Sequence, residues 1–165
     1  MKIILILVLI VLCVIVGYGI SCGYKQKKKF YESYLSFLQN LKIDIGFSAN
    51  KLSEIINEYK KETENKDFVC LLDNYMLCLN ANQNLTKEIM FKNINFLNEQ
   101  EKEEILVFFK MLGRSDIFNQ VEVIKNKSEQ VNSTCEKLKK DCEKYCPLFV
   151  KLGLLLGLFL ALLMI

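Results

Sequence analysis

Two apolar segments bracket the chain, and the residues between them alternate between apolar and polar at helical spacing. Residues 3–24 and 148–165 are almost entirely aliphatic or aromatic. Each approaches or exceeds the ~20 residues with which a helix crosses a bilayer core at ~1.5 Å per residue. The pattern predicts a transmembrane helix in each of these two segments.

In the segment between them, residues 25–147, the pattern predicts six amphipathic helices, which we expect to form a cytoplasmic domain. Apolar residues recur there at steps of three and four, which places them on one face of each helix. We expect an all-α fold, a six-helix antiparallel bundle flanked by an N-terminal and a C-terminal transmembrane helix. The predicted buried positions are Phe30, Tyr34, Phe37, Leu38, Leu41 and Ile45; Leu52, Ile55, Ile56 and Tyr59; Phe68, Leu71, Leu72, Tyr75 and Leu79; Leu85, Ile89 and Phe96; Ile105, Phe108, Phe109 and Leu112; Val121, Ile124, Val131, Cys135, Leu138 and Cys142.

Local signals define some of the helix boundaries. Asn98 and Glu101 have the spacing of a capping box that opens the fifth helix. The fourth helix is predicted to run from about Leu85 to Phe96. Pro147 indicates either a kink in a continuous helix or the first turn of the last helix.

The first apolar segment has three possible interpretations. It is a cleaved signal peptide, a lipoprotein signal that ends before Cys22, or a retained membrane helix. The apolar core is longer than the 7–15 residues of a usual signal peptide. Gly19 also stands where a lipoprotein signal normally has a branched aliphatic residue, so the retained helix is favoured.

Lysines near the apolar segments indicate the orientation of the chain. Lys25, Lys27, Lys28 and Lys29 follow the first segment, and further lysines precede the second. The positive-inside rule then places residues 25–147 in the cytoplasm. We expect six lysines at the membrane surface, near anionic headgroups unless they only set the orientation: Lys25, Lys27, Lys28, Lys29, Lys144 and Lys151.

The second apolar segment contains the spacing Gly153-x-x-x-Gly157. Glycines four residues apart lie on one face of a helix, where a second helix can approach closely. The alternative is that glycine is simply common in membrane helices. We expect Gly153 and Gly157 to be helix-packing residues.

Charge and composition argue against several functions. Residues 25–147 hold all 19 acids and 20 of the 22 bases, so this segment is nearly neutral and nucleic acid is not an expected partner. The chain has no histidine, which is the commonest general base and metal ligand. No phosphate-binding loop or nucleophile motif occurs, and the Glu101–Glu104 cluster has the position of a solvated helix start. We expect no catalytic residues, no cofactor and no enzymatic activity.

Seven cysteines, an odd number without a paired pattern, are typical of a reducing compartment. Cys135, Cys142 and Cys146 share one helical face. Cys135 and Cys146 are about 16 Å apart along a helix, and one zinc ion with bonds of about 2.3 Å cannot bridge that distance. We therefore expect small buried side chains and no metal site.

The chain resembles the stage III sporulation protein AB family of endospore-forming bacteria over nearly its whole length. The similarity rests on the first apolar segment with its basic exit and on three later pieces. These are Leu38-Gln39-Asn40-Leu41 with Ile45 and Leu52, then Phe109-Lys110-Met111-Leu112-Gly113-Arg114-Ser115-Asp116, then Lys151-Leu152-Gly153-Leu154-Leu155-Leu156-Gly157.

This resemblance implies a scaffold in the mother-cell membrane around the forespore, within a secretion-like channel required for endospore formation. It also implies a helical domain similar to the cytoplasmic domains of type II secretion inner-membrane platform proteins. The implied partners are the lipid bilayer and other mother-cell channel proteins, including a secretion-like ATPase. The alternatives are an extracytoplasmic lipoprotein or binding module, and a platform protein of a secretion or pilus system outside sporulation.

Overall fold

The computed structural model describes residues 2–47, 52–112 and 117–164, and this part of the chain is all-helical with no strand. It contains six helices. They are α1 (Lys2–Phe47), α2 (Leu52–Glu62), α3 (Lys66–Asn80), α4 (Lys87–Met90), α5 (Glu99–Met111) and α6 (Ile117–Met164). The prediction of an all-α fold is confirmed.

The two terminal helices are far longer than the others. α1 has 46 residues and continues from the first apolar segment into the helix that carries Phe30 and Tyr34. α6 has 48 residues and includes Pro147 in its interior, so the prediction that Pro147 opens a separate helix is wrong. A proline removes one backbone hydrogen bond, and the many remaining bonds of a long helix maintain it.

Both terminal helices are long and apolar enough to cross a membrane, as judged by length and composition. The qualifying stretches are Leu7–Ile45 and Gln120–Leu163, each with a mean hydropathy of 2.3 in its most apolar window. Only 11% and 22% of these windows are buried inside the protein. A core helix of a soluble protein would be mostly buried, so most of this apolar surface faces outward.

The chain divides into two compact units. One comprises Met1–Lys28 and Glu136–Ile165, and we call it the paired-helix unit. The other comprises Lys29–Cys135, and we call it the helical domain. α1 and α6 each contribute residues to both units, and the membrane-segment boundaries after residues 24 and 147 stay predictions.

An aromatic cluster fills the core of the helical domain. Phe30, Tyr34 and Phe37 of α1 are fully buried together with Phe68 of α3, and Phe109 of α5 is 1% exposed. Ring centroids lie 5.4 Å apart for Phe30 and Phe68, and 6.1 Å apart for Phe37 and Phe109. Each such pair contributes about 0.5–1.5 kcal/mol beyond the burial of its area. The apolar periodicity of α1, α3 and α5 therefore predicted the core of this unit.

The fourth helix is shorter than its prediction. α4 covers only Lys87–Met90, because the following residues include Asn93 and Asn95, whose short polar side chains disfavour a helix interior. Met90, Phe91, Ile94 and Leu97 are buried, whereas Ile89 is 38% exposed. The inward placement of Ile89 was wrong, as was that of Leu79 at the end of α3, which is 44% exposed.

The start of α5 is held by the predicted capping box. The Asn98 side chain accepts a hydrogen bond from the Glu101 backbone N–H at 2.8 Å, and the Asn98 N–H donates to the Glu101 carboxylate at 2.9 Å. Two backbone donors that the first turn would leave unpaired are thereby satisfied. Lys87 also contacts Glu103 at 3.1 Å, which raises the pKa of that lysine and links α4 to α5.

Replacing Asn98 with alanine should destabilise the protein by about 1 kcal/mol, because the capping hydrogen bond to Glu101 is lost. The measurement is thermal unfolding of the full chain in detergent, followed by circular dichroism. Asn95→Ala is the matched control, since Asn95 is exposed and lies outside a helix. Equal shifts in the unfolding temperature of the two variants would contradict the assignment of the cap.

Candidate functional site

In the paired-helix unit the backbones of α1 and α6 are in very close contact. A Cβ atom added at Gly17 would lie 2.5 Å from the Phe149 carbonyl oxygen. One added at Gly153 would lie 2.6 Å from the Cys13 carbonyl oxygen, and one at Gly157 would lie 3.0 Å from the Ile10 Cα. Real Cβ atoms essentially never come within 3.0 Å of such atoms, so the backbones of α1 and α6 meet where side chains are missing.

These contacts define an antiparallel register. Residue numbers rise along α1 from Ile10 to Gly17 while their partners fall along α6 from Gly157 to Phe149. One further turn along, the Cys146 thiol donates to the Ser21 carbonyl oxygen at 3.6 Å, and Ser21 is only 2% exposed. We call this line of contacts between α1 and α6 the seam. Small residues line it from Ser21 and Cys146 at one end to Gly157 at the other.

The sequence prediction had assigned Gly153 and Gly157 to helix packing, and the structure places both against α1 of the same chain. Sequence reasoning missed Gly17, the partner on α1. The available signal was the four-residue spacing of Cys13, Gly17 and Ser21, all small residues. Gly19 lies in the same apolar segment, but an added Cβ there would meet nothing within 4 Å.

Aromatic rings gather at the basic end of the seam. The Tyr24 ring lies 5.8 Å from that of Phe149 and 6.2 Å from that of Tyr145. Lys144 Nζ lies 5.1 Å from the centre of the Tyr145 ring, and Lys25 Nζ lies 6.0 Å from that of Tyr18. Tyrosine with nearby lysine is the composition of the belt that membrane proteins place at the boundary between lipid and water.

The six lysines expected at a membrane surface lie in different settings. Lys25, Lys29, Lys144 and Lys151 are exposed, whereas Lys27 and Lys28 are partly covered and have interaction partners. Lys29 belongs to the helical domain and the other five belong to the paired-helix unit. Lys151 lies beyond the aromatic rings, two residues past Phe149 along α6.

The clustered cysteines are packing residues in this arrangement. Cys142 and Cys146 are buried, 9% and 7% exposed, and neither is in a disulfide. Cys135 is only partly buried, so its expected burial is incomplete. Within the described residues, no group of three or more cysteine or acidic side chains has the geometry to hold a metal ion.

A methyl group at Gly153 should force the two helices apart. Gly153→Ala is expected to lower the stability of the full chain in detergent by about 1–3 kcal/mol, because the carbonyl of Cys13 cannot move aside as a flexible side chain would. The unfolding temperature, followed by circular dichroism, measures this effect.

Gly19→Ala is the matched control for this substitution. It adds the same methyl group to α1 where nothing lies within 4 Å, so the unfolding temperature should stay the same or rise slightly through the better helix propensity of alanine. A Gly153→Ala variant as stable as the Gly19→Ala variant would show that the close contact is not needed.

Comparison with known proteins identifies the family of this chain. The sequence model of Stage III sporulation protein AB (spore_III_AB) matches residues 2–165, which include both units described above. Searches among curated proteins and among solved structures found no match. The family indicated by the sequence motifs is therefore confirmed: the chain belongs to the Stage III sporulation protein AB family.

Proposed function

We propose that this protein is a non-enzymatic membrane scaffold of the mother cell–forespore channel and is required for endospore formation. The observation that carries the proposal is the family match over residues 2–165, which supports a role in sporulation. The assignment to the channel and to a scaffold role rests on the family resemblance together with the two units of the structure.

The outward surface of the paired-helix unit supports membrane insertion. Large apolar side chains are exposed on both helices, among them Val16 at 63%, Leu155 at 61% and Leu162 at 74%. Soluble proteins rarely expose such a large continuous apolar surface to water. In a bilayer the same side chains contact lipid, and the helices satisfy their own backbone hydrogen bonds.

The seam also supports retention of the first helix. Gly17 and Ser21 pack against α6, and both precede Cys22, the residue that a lipoprotein signal would make the new N-terminus. Cleavage there would remove the α1 side of this helix contact. The retained membrane helix is therefore part of the proposal, in place of a lipoprotein.

The helical domain is proposed to face the mother-cell cytoplasm, with the anchor in the membrane around the forespore. Its surface has ion pairs of opposite charge, such as Lys60 with Asp73 and Lys102 with Glu99. A mixed surface of this kind suits a water-facing domain that binds other proteins. We propose that it forms an antiparallel helical bundle and binds other channel proteins, including a secretion-like ATPase.

Deletion of the gene in the source organism should arrest sporulation after engulfment. The full chain should restore heat-resistant spores, whereas a chain that lacks residues 148–165 should not, because α6 then loses its half of the seam. A chain with an unrelated apolar helix in place of residues 148–165 would keep the membrane anchor but lose the pairing with α1. Heat-resistant spores from this chain would show that anchoring alone is enough, and their absence would show that helix pairing is needed. Normal heat-resistant spores in the deletion strain would overturn the proposed function.

When the protein is expressed in vegetative cells, trypsin should leave the helical domain intact in spheroplasts and cleave it once the membrane is broken. Lys61 at the end of α2 and Lys66 at the start of α3 are exposed and are the expected cleavage sites. Replacing Lys25, Lys27, Lys28 and Lys29 with glutamate should reverse this protection or detach the domain, since these charges set the orientation. Cleavage of the wild-type domain in intact spheroplasts would instead favour the extracytoplasmic lipoprotein or binding module.

A further inference from the structure

One face of α6 carries a row of lysines that continues into the apolar segment. Lys137, Lys140, Lys144 and Lys151 are separated by steps of three, four and seven residues, and all four are exposed. Residues at these steps lie above one another on a helix, so they form a single stripe about 21 Å long. We call this stripe the lysine face.

The register of the seam determines how deep Lys151 lies. Gly153 contacts Cys13, and Phe149 contacts Gly17, so Lys151 lies level with about Ile15 on α1. That level is inside the apolar segment of residues 3–24, about ten residues or roughly 15 Å along the helix from Lys25. Lys151, which is expected at the membrane surface, has its backbone two residues, or about 3 Å along the helix, beyond Phe149.

The chain itself offers no side-chain carboxylate at this depth. Residues 1–28 contain no acidic residue, and none follows Glu143. Glu143 is eight residues from Lys151, about 12 Å along the helix axis. A lysine in an apolar layer requires an anion or water near its charge, and residues 1–28 and 144–165 supply no side-chain carboxylate for Lys151.

Helix geometry indicates the direction in which the Lys151 side chain extends. Side chains on a helix lean toward its N-terminus, which for α6 is the direction of Lys144. A lysine in a membrane helix extends its amine in this way toward the layer of lipid phosphates. Below Lys151 the same face becomes apolar, with Leu155, Leu158 and Leu162 exposed by 61%, 50% and 74%.

We propose that the lysine face binds an anionic phospholipid, with the Lys151 amine reaching the phosphate from its apolar side. The leucines that follow give the acyl chains an apolar track. Two features of the lysine face match a phospholipid. Its lysines complement the charge of the phosphate, and the leucines that follow them along the same helix face match the acyl chains that follow the phosphate in the lipid. This inference rests on the membrane insertion that the proposed function assumes.

The test uses the purified full chain in mixed micelles that contain phosphatidylglycerol and phosphatidylcholine, with retained lipids counted by native mass spectrometry. The wild type should retain phosphatidylglycerol in preference to phosphatidylcholine. Lys151→Gln should weaken retention of phosphatidylglycerol about fivefold, the factor that corresponds to about 1 kcal/mol for one lysine near an anionic surface. Lys151→Arg should keep it.

Lys139→Gln is the matched control, because it removes one charge from the same helix but lies off the lysine face. It should change retention by much less than Lys151→Gln does. Equal losses in the two variants, or equal retention of both lipids by the wild type, would overturn the proposal. Unchanged lipid retention in Lys151→Gln together with loss of a co-purified membrane protein would overturn it in favour of a partner's carboxylate.

This experiment is independent of the sporulation phenotype. Lipid retention is measured on purified protein, so normal spores in the deletion strain would refute the channel function without affecting the lipid result. Glutamine at position 151 removes a charge from an apolar segment, so this variant is expected to insert and fold, and circular dichroism checks its helix content.

Discussion

Direct contact between two helix backbones determines the organisation of the paired-helix unit. At Gly17 and Gly153 a carbonyl oxygen of the opposite helix lies where a Cβ atom would otherwise be. Lipid chains are as apolar as leucine, so burial of apolar area contributes little to helix pairing in a bilayer, and close packing provides the attraction instead. The same contacts align Cys146 with Ser21 and Tyr24 with Phe149, so the register of the unit depends on the glycines.

The helical domain is stabilised by a different balance of forces. Its core is a cluster of large aromatic rings from α1, α3 and α5, completely removed from solvent. Hydrogen bonds at defined points connect the helices, such as the one that the Tyr59 hydroxyl donates to the Ser33 carbonyl at 2.6 Å. Burial of apolar surface away from water drives this kind of packing. One chain thus contains a unit suited to lipid and a unit suited to water.

The proposed function follows from the combination of these units with the family. The apolar unit would hold the protein in the mother-cell membrane, and the charged surface of the helical domain would remain available to other channel proteins. The proposed lipid site on the lysine face would give the anchor a chemical preference among lipids. A scaffold of the proposed kind would act by its position and its contacts.

The sequence by itself determined the helical class, the core positions of α1, α3 and α5, and the capping box at Asn98, because these depend on residues a few positions apart. The sequence pattern placed Ile89 and Leu79 in the core, but both are exposed. The apolar spacing continues in the sequence to positions where the helix ends or is no longer covered by its neighbours. Gly17 and Gly19 look alike in the sequence, yet only Gly17 lies in the seam. That difference, and the level of Lys151 along α1, arose only from tertiary structure, because they depend on a register set by contacts such as that between Ser21 and Cys146, 125 residues apart.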